Sequence, residues 1–313
     1  MAEPDGPRLL GIDIGGTRSR ARLCTGGQLT AESHGPSASL PAAGRDRAQA
    51  ALTALLGDLK LDAAGQLDAV CAGSAGLSVP GAREFLHGQL APLTRGGQVT
   101  IVTDIQLVLP AAGLAEGVAV ICGTGSVAVG SRQGRTVQIG GWGFLLGDEG
   151  GGYWVVREAI RALLDRRDHA AAPGPLGDQL LAATGAADLA ALHRLVYEQP
   201  HRPSGWARHA GLVLDSADPA AATIAARAAG HVAGLAAAAA QELDPAGRLP
   251  VVLAGGLLGN PGFREAACQA VAGALPRAEV SVLADEPVAG AIRLAQLTLQ
   301  PGTDLSSVLK KRD

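Results

Sequence analysis

The chain has 313 residues, which is enough for two domains that each bury a core. Its residues are 47% hydrophobic and 18% charged, a globular balance that excludes a disordered protein. The formal net charge of −3 excludes the basic field of a nucleic-acid-binding protein, and no apolar run reaches the roughly 20 residues that span a bilayer. The acidic start Met1–Asp5 differs from a signal peptide, so we expect a cytoplasmic protein that contacts neither nucleic acid nor membrane.

In chain order, the first half begins with three strands and then alternates helices and strands. Gly15–Gly16 and Gly26–Gly27 separate apolar segments and predict two tight hairpin turns. Apolar residues at helical spacing predict a helix next, and two later short apolar runs are typical of buried parallel strands. The predicted elements are strands at 9–14, 17–24 and 28–33, a helix at 46–60, a strand at 68–72, a helix at 81–91 and a strand at 99–103.

The second half starts again at Gly117 with the same opening of three strands. It continues into helices, of which the longest is rich in alanine and has Asp218–Pro219 as its N-cap and first-turn signal. The predicted elements are strands at 117–122, 126–131 and 135–139, helices at 151–164, 176–183, 187–197 and 219–243, a strand at 250–254, a helix at 260–275, a strand at 279–283 and a helix at 287–299. The tail after Pro301 is expected to be loose.

This repeated plan predicts an α/β fold of two similar domains that face each other across a cleft. We expect the first domain over residues 1–109 and the second over 110–286, with a helical insertion at about 155–215. A C-terminal helix over 287–300 is expected to pack back onto the first domain.

Ligands of such sheets lie beyond the carboxyl ends of the strands, which here carry Asp13, Asp104, Gly123 and Gly255. Asp13 stands in an apolar strand end, where an acid is costly unless it is paired or binds a cation. This favours a Mg²⁺ held largely through water, although Asp13 could also cap the following turn. Asp104 ends a strand and suits a general base for a hydroxyl nucleophile, although it could also be an N-cap.

Two glycine turns, Gly15–Gly16–Thr17 and Gly123–Thr124–Gly125–Ser126, each join two strands. Glycines allow close approach of the backbone, so that N–H groups can point at phosphate oxygens, although a simple hairpin explains either turn alone. Neither turn fits the P-loop pattern G-x-x-x-x-G-K-S/T, and neither fits G-x-G-x-x-G. The only lysines, Lys60, Lys310 and Lys311, are far from both turns in sequence, so we expect backbone amides and a metal at Asp13 to hold the phosphates.

Two further glycine-rich segments each permit two interpretations. In the block 140–154, Asp148 and Glu149 could complement the dipole of the following helix, or Asp148 could contact a sugar hydroxyl. In the segment 251–258, Gly255–Gly256 could allow close packing of helix on strand, or a nucleotide could lie over the glycines.

The cysteines show no metal-binding or disulfide pattern, since none forms a C-x-x-C pair. We expect them to be small buried residues in a reducing compartment. They are Cys24, Cys71, Cys122 and Cys268.

Together these segments resemble, over nearly the whole chain, the acetate/sugar kinase, Hsp70 and actin superfamily. Within it the chain is most similar to the N-acetylglucosamine kinase and BadF/BadG/BcrA/BcrD ATPase-type family. The resemblance implies two duplicated ribonuclease H-like (actin-like ATPase) domains around a central nucleotide cleft. It also implies ATP and Mg²⁺ as cofactors, a small-molecule sugar as substrate and a homodimer.

The resemblance implies a role for each motif. Asp13–Thr17 would be the first phosphate motif, Cys122–Ser126 the second, and Ala254–Gly256 the adenosine motif. Asp104 would be the catalytic aspartate and would also contact the sugar. The other implied sugar contacts are Ser37, Gly76, Thr124, Gly125 and Asp148.

The chain departs from the family pattern at two positions. The family's kinases typically carry a sugar-contacting asparagine where this chain has Gly35–Ser39, which offers Ser37 or Ser39 instead. Many members have serine where this chain has Gly151. Both changes remove polar contacts expected for an amino sugar.

The motifs and the resemblance together therefore predict an ATP-dependent hexosamine kinase that forms the 6-phosphate of N-acetylglucosamine. Glucosamine or another sugar is the alternative acceptor. An alternative of another class is an ATPase activator subunit of a dehydratase or reductase, which would hold an iron–sulfur cluster between subunits. A sugar-sensing regulator of the related repressor–kinase group is a third, but no helix-turn-helix precedes residue 9 and the cysteine-rich zinc motif is missing.

Overall fold

The computed structural model describes residues 6–61, 67–198, 203–244 and 248–300. Both the acidic start Met1–Asp5 and the tail after Pro301 lie outside the described residues. The chain divides into two units. Unit 1 takes the residues up to Gly117, Ser131–Thr136 and the residues from Leu283 onward; unit 2 takes Val118–Gly130 and Val137–Val282.

Strands and helices alternate along the chain. The first are β1 Arg8–Ile14, β2 Arg18–Thr25, β3 Gln28–Pro36, α1 Leu40–Ala43, α2 Arg45–Gly57, β4 Leu67–Ser74, α3 Ala82–Leu90, β5 Thr94–Val102 and α4 Val108–Ala111. The rest are β6 Gly117–Cys122, β7 Ser126–Arg132, β8 Arg135–Gly140, α5 Gly152–Asp168, α6 Gly174–Thr184, α7 Leu189–Glu198, α8 Pro203–Ala207, α9 Ala210–Leu214, α10 Pro219–Leu243, β9 Val251–Ala254, α11 Pro261–Ala274, β10 Val280–Val282 and α12 Pro287–Thr298. Short 3₁₀ helices cover Ala91–Leu93, Asp104–Leu107 and Gly256–Gly259.

Unit 1 contains a mixed sheet in the order β3-β2-β1-β4-β5. The hairpin strands β1, β2 and β3 are antiparallel, whereas β4 runs parallel to both β1 and β5. Strand side chains alternate between the two faces of a sheet. Leu10, Ile12 and Ile14 therefore pack with α2 and α3 on one face, while Leu9 packs with α12 on the other.

The helix α12 lies very close to β1, and a glycine makes this possible. A Cβ atom on Gly11 would fall 2.8 Å from the backbone nitrogen of Ile292. On the same helix, a Cβ atom on Gly290 would fall 2.0 Å from the carbonyl oxygen of Leu107. Two glycines thus let α12 pack backbone to backbone against both β1 and the 3₁₀ helix at Asp104–Leu107.

Unit 2 contains the second sheet, in the order β10-β9-β6-β7-β8. The strands β10, β9 and β6 are parallel neighbours. Its core joins buried residues of β6 and β9 to α5, α10 and α11. The alanine-rich α10 begins at the predicted N-cap, since the Asp218 carboxylate accepts the amide of Ala220 at 2.9 Å.

The α/β fold predicted from sequence is confirmed as two mixed five-stranded sheets with helices. The predicted strands and long helices are all present, with ends shifted by a few residues. The very short elements α1, α8 and α9 were not predicted. None of the helices in the described ranges is long and apolar enough to cross a membrane.

Candidate functional site

The first glycine turn joins β1 to β2 at the surface of unit 1. The amide of Gly15 donates to the carbonyl oxygen of Arg18 at 2.9 Å, which closes the turn. Gly16 and Thr17 are exposed, and a Cβ atom on Gly16 would meet no heavy atom within 4 Å. The tip of the turn is therefore open to a ligand.

Ser37 lies beside this turn. Its hydroxyl donates to the carbonyl oxygen of Gly15 at 2.7 Å and accepts the amide of Ser39 at 3.2 Å. Since a serine hydroxyl has one proton, Ser37 can offer a ligand a lone pair but no donor while this bond lasts.

Gly76 belongs to the same corner of unit 1. The Ser39 hydroxyl donates to the carbonyl oxygen of the adjacent Ala75 at 3.0 Å. Gly76 has a φ of +74°, and a Cβ atom there would fall 2.3 Å from Cγ of Pro41. The structure therefore brings Ser37 and Gly76 together around the first glycine turn, and Gly76 is needed for the packing itself.

Asp13 is half-buried at the carboxyl end of β1. The pKa of its carboxyl is raised to about 7, first by burial and then by the charge of Asp104, while Arg20 acts to lower it. The carboxylate receives no hydrogen bond from any described residue, so nothing supports the alternative that it caps the following turn. A bound cation would relieve this unfavourable charge.

Asp104 is the first residue of the 3₁₀ helix that follows β5. Thr103 occupies the N-cap position, and its amide donates to the side-chain oxygen of Gln106 at 2.9 Å. Asp104 is therefore not the N-cap, and its carboxylate instead accepts the amide of Ile105 at 3.0 Å. Burial raises the pKa of Asp104 to about 6, although this amide and its own amide lower it.

The closeness of Asp104 to Asp13 depends on Gly73. Gly73 on β4 pairs with Asp13 on one side and with Val102 on the other. A Cβ atom on Gly73 would fall 2.4 Å from a methyl carbon of Leu107. The missing side chain lets the 3₁₀ helix lie over the end of β4, so that the charge of Asp104 acts on Asp13.

The second glycine turn, in unit 2, is fastened to the start of α5. The amide of Gly123 donates to the carbonyl oxygen of Gly125 at 2.9 Å. The amides of Gly152 and Tyr153 donate to the carbonyl oxygens of Gly123 and Thr124 at 2.8 and 3.0 Å. The first amides of α5 therefore hold the turn in place.

Asp148 supports the same turn from its other side. Its carboxylate accepts the amides of Ser126 and Gly143, and a Cβ atom on Gly125 would fall 2.2 Å from its oxygen. Burial raises the pKa of Asp148, while the two amides lower it. Because α5 begins at Gly152, neither Asp148 nor Glu149 is a first-turn acid of that helix.

Gly151 explains one departure from the family pattern. It is the N-cap of α5, and a Cβ atom there would fall 2.5 Å from Cα of Gly125. A serine at this position would collide with the second glycine turn unless the turn moved.

The two glycines after β9 have different surroundings, since one is closely packed and the other faces open space. Gly255 has a φ of +112°, and a Cβ atom there would fall 2.3 Å from the carbonyl oxygen of Cys122. A Cβ atom added to Gly256 would meet no heavy atom within 4 Å. Gly255 thus fits the close-packing interpretation, and Gly256 leaves space for a ligand.

The cysteines are free thiols, of which Cys24, Cys71 and Cys122 are buried, as predicted, and Cys268 is half-buried. Burial raises the pKa of Cys122 to about 12, and its thiol donates to the carbonyl oxygen of Ala254 at 3.5 Å.

Sequence reasoning missed Arg20, Thr103 and Gln106. Arg20 pairs with Asp13 in the register of β1 and β2 and lowers the pKa of its carboxyl. A signal was available for Arg20, because in a tight hairpin the turn fixes which residues face each other. The Thr103–Gln106 pair has the three-residue spacing of a capping box.

Comparison with characterised proteins gives partial sequence matches. An N-acetylmuramic acid/N-acetylglucosamine kinase from Clostridium acetobutylicum is 36% identical over 106 residues, which cover 33% of this chain. An N-acetyl-D-glucosamine kinase from Dictyostelium discoideum is 29% identical over 177 residues, which cover 51% of this chain. The chain thus spans 34% of the length of the first relative and 54% of the second.

Solved structures match over more of the chain. A provisionally assigned N-acetylglucosamine kinase from Chromobacterium violaceum has a TM-score of 0.73 at 28% identity, over 95% of this chain and 100% of that one. A ROK family glucokinase from Streptomyces griseus, solved with glucose and AMPPNP, has a TM-score of 0.57 at 16% identity, over 93% and 98%. This second likeness concerns the actin-like ATPase fold alone. The model of the BadF/BadG/BcrA/BcrD ATPase family matches residues 10–292, so the chain belongs to that family of ATPases and its membership implies ATP binding.

Proposed function

We propose that this protein is an ATP-dependent hexosamine kinase that phosphorylates N-acetylglucosamine at its 6-hydroxyl. The observation that carries the proposal is Asp104, a carboxylate at the end of β5 whose pKa burial raises to about 6. A base of this strength suits proton abstraction from a hydroxyl near neutral pH. The relatives named as N-acetylglucosamine kinases support the choice of sugar.

In the proposed reaction, Asp104 accepts the proton of the sugar hydroxyl as the oxygen attacks the γ-phosphorus in line. The new O–P bond forms while the bond from the γ-phosphorus to the bridging oxygen breaks, and ADP leaves with that oxygen. The amide of Ile105 holds the Asp104 carboxylate at 3.0 Å, so it limits the rotation of the base.

The residues of unit 1 fit a divalent cation at Asp13. This carboxylate is half-buried, its pKa is raised to about 7, and no described residue donates a hydrogen bond to it. Mg²⁺, when bound, would neutralise phosphate charge as it develops. Asp13 would hold the ion, largely through water.

The two glycine turns are proposed to bind phosphate through their backbone amides. The residues are Gly15, Gly16 and Thr17 in the first turn and Gly123, Thr124, Gly125 and Ser126 in the second. Gly255 and Gly256 are proposed to lie against the adenosine. The proposed sugar contacts, besides Asp104, are Ser37, Gly76, Thr124, Gly125 and Asp148.

The variant Asp104→Asn tests the base. We expect kcat to fall about 100-fold or more while ATP affinity stays within about twofold, because the amide keeps the shape but cannot accept the proton. ADP release is measured with N-acetylglucosamine, glucosamine, N-acetylmuramic acid, glucose and no acceptor. Asp58→Asn, at the exposed end of α2, is the matched control and should leave kcat unchanged.

Two outcomes would contradict the proposal. Full turnover by Asp104→Asn would reject Asp104 as the base. Strong ADP release without any sugar would reject the kinase in favour of the ATPase-activator class, which needs cluster-ligating thiols. Cys71 and Cys122, whose pKa values are raised by burial, are poorly suited to that role.

A further inference from the structure

Three arginines occupy alternate positions of β2, next to the first glycine turn. Arg18, Arg20 and Arg22 share one face of the sheet, because Ser19 and Ala21 between them are buried on the other. Asp13 lies opposite Arg20 in the antiparallel register, so its carboxylate belongs to the same face. The arginine row therefore leads along β2 to the turn at Gly15–Thr17.

The number of acidic residues that pair with each arginine of this row decreases toward the turn. Arg22 has Glu32 and Asp285, each at 3.0 Å, and Glu286 at 3.4 Å. Arg20 forms an ion pair with one carboxylate of the described residues, that of Glu286, and donates to Nδ1 of His34 at 3.0 Å.

Arg18 stands at the end of the row. It is exposed, and its side chain has no ion pair or hydrogen bond with any residue of the described ranges. The row is thus neutralised at its far end, and beside the glycine turn it ends in a cation that has no ion pair within the described part of the chain.

The backbone of Arg18 is fixed, although its side chain has no partner among the residues that the structure describes. Its carbonyl oxygen accepts the Gly15 amide at 2.9 Å, and Thr17 is its neighbour in the chain. A guanidinium offers a fork of donors that matches phosphate oxygens, and charged hydrogen bonds of this type are strong. No lysine occupies the turn, so Arg18 is the residue there that can supply positive charge.

We propose that Arg18 binds the γ-phosphate of ATP and supplies the charge that a lysine supplies in P-loop proteins. The inference rests on the proposed function for the identity of the nucleotide. The γ-phosphate is the group assigned because Arg18 shares a sheet face with Asp13, and Asp13 is close enough to the proposed base Asp104 for the charge of Asp104 to act on its carboxylate. Arg20 and Arg22 stay engaged by their own carboxylates.

The test is calorimetric binding of Mg²⁺-ATP and Mg²⁺-ADP, without sugar, to the full-length wild type, Arg18→Met, Arg18→Lys and the control Arg47→Met. Arg47 is an exposed arginine of α2 in the same unit, bonded to the carbonyl oxygen of Ala43. Arg18→Met should weaken ATP binding about 10- to 100-fold, the range expected for a lost charged hydrogen bond, and leave ADP binding near wild type. Arg18→Lys should recover part of the preference for ATP.

The assignment is overturned if Arg18→Met keeps the ATP-to-ADP affinity ratio of Arg47→Met. It is equally overturned if ATP and ADP weaken together. Because no sugar is present, the result does not depend on the acceptor. A wild type that binds ATP but phosphorylates no sugar would refute the proposed kinase function and leave the Arg18 test intact.

Discussion

At the scale of single residues, two carboxylates in unit 1 share an environment that disfavours their charge. Burial raises the pKa values of both Asp13 and Asp104, and Asp104 adds its own charge to the shift of Asp13. Elsewhere in the chain a carboxylate in contact with an arginine has the opposite shift, as the lowered pKa of Asp218 beside Arg166 shows. Raised values in a candidate site fit groups that accept protons or bind cations.

The pKa of Asp104 predicts how the rate of the reaction falls on the acid side of its pH profile. A base works only when ionised, and a pKa raised to about 6 leaves Asp104 mostly protonated at pH 5. With Mg²⁺ saturating, so that the bound ion would keep Asp13 ionised, we therefore expect kcat/KM for the sugar to fall as pH decreases through about 6, with a slope of about one decade per pH unit below it. The measurement is kcat/KM from pH 4.5 to 8 at constant ionic strength. A value that stays constant down to pH 5 would contradict this assignment.

At the scale of elements, the start of α10 shows how one side chain can serve both a helix and an ion pair. The buried Asp218 accepts the amide of Ala220 at 2.9 Å and binds Arg166 of α5 through both carboxylate oxygens. The bidentate pair fixes the beginning of α10 against the end of α5. It thus joins two helices of the unit 2 core.

We expect Asp218→Ala to lower the free energy of unfolding of unit 2 by about 2 kcal/mol, because it removes both the cap and the partner of Arg166. Since the pKa of Asp218 lies below 3.8 in the folded state, this stabilisation is complete above pH 3.8 and is lost as pH falls through the lowered pKa. The difference between variant and wild type should therefore shrink in acid.

Urea unfolding followed by tryptophan fluorescence measures this difference, because Trp142, Trp154 and Trp206 all belong to unit 2. Asp188→Ala is the matched control. Asp188 accepts the amide of Ala191 at 2.7 Å at an exposed position, so its loss should cost about 1 kcal/mol or less. Equal costs for the two variants would show that the ion pair contributes nothing.

The elements also show what a sequence can and cannot predict. The hairpins around Gly15 and Gly123 and the long α10 are encoded locally, by periodicity, glycine turns and caps, and all were predicted. The 3₁₀ helix at Asp104–Leu107 covers four residues, too few for a periodic signal. Its place over β4 depends on Gly73 meeting Leu107, a contact between distant parts of the chain. For the same reason, the bond from Ser37 to Gly15 and the support of Gly125 by Asp148 could not be derived from sequence.

At the scale of the whole molecule, the first sheet depends on the last helix. The helix α12 covers the face of β1 and β4 that carries Leu9 and Cys71, and it does so through Gly11 and Gly290. Arg293 of this helix also donates to the carbonyl oxygen of Ala111 at 2.6 Å, at the end of α4. The last helix therefore belongs to the fold of the first hundred residues.

The variant Gly290→Ala tests this dependence. Its methyl group would fall 2.0 Å from the Leu107 carbonyl oxygen, so we expect unit 1 to lose about 1–3 kcal/mol of stability. Hydrogen exchange should accelerate in β1 and β4, while the fluorescence transition of unit 2 stays in place. Gly88→Ala, on α3 with no heavy atom within 4 Å of the added Cβ, should instead stabilise unit 1 slightly. Unchanged exchange in Gly290→Ala would contradict the dependence of β1 and β4 on this close contact of α12.

This dependence fixes an order of events during synthesis on the ribosome. The sheet strands of unit 1 emerge first, but one of their faces stays uncovered until α12 has left the exit tunnel. All of unit 2, Val118–Gly130 and Val137–Val282, is translated in between and can fold before unit 1 is complete. A nascent chain halted before residue 287 would therefore expose the apolar surface of β1 and β4, and we expect chaperones to bind the unfinished polypeptide there.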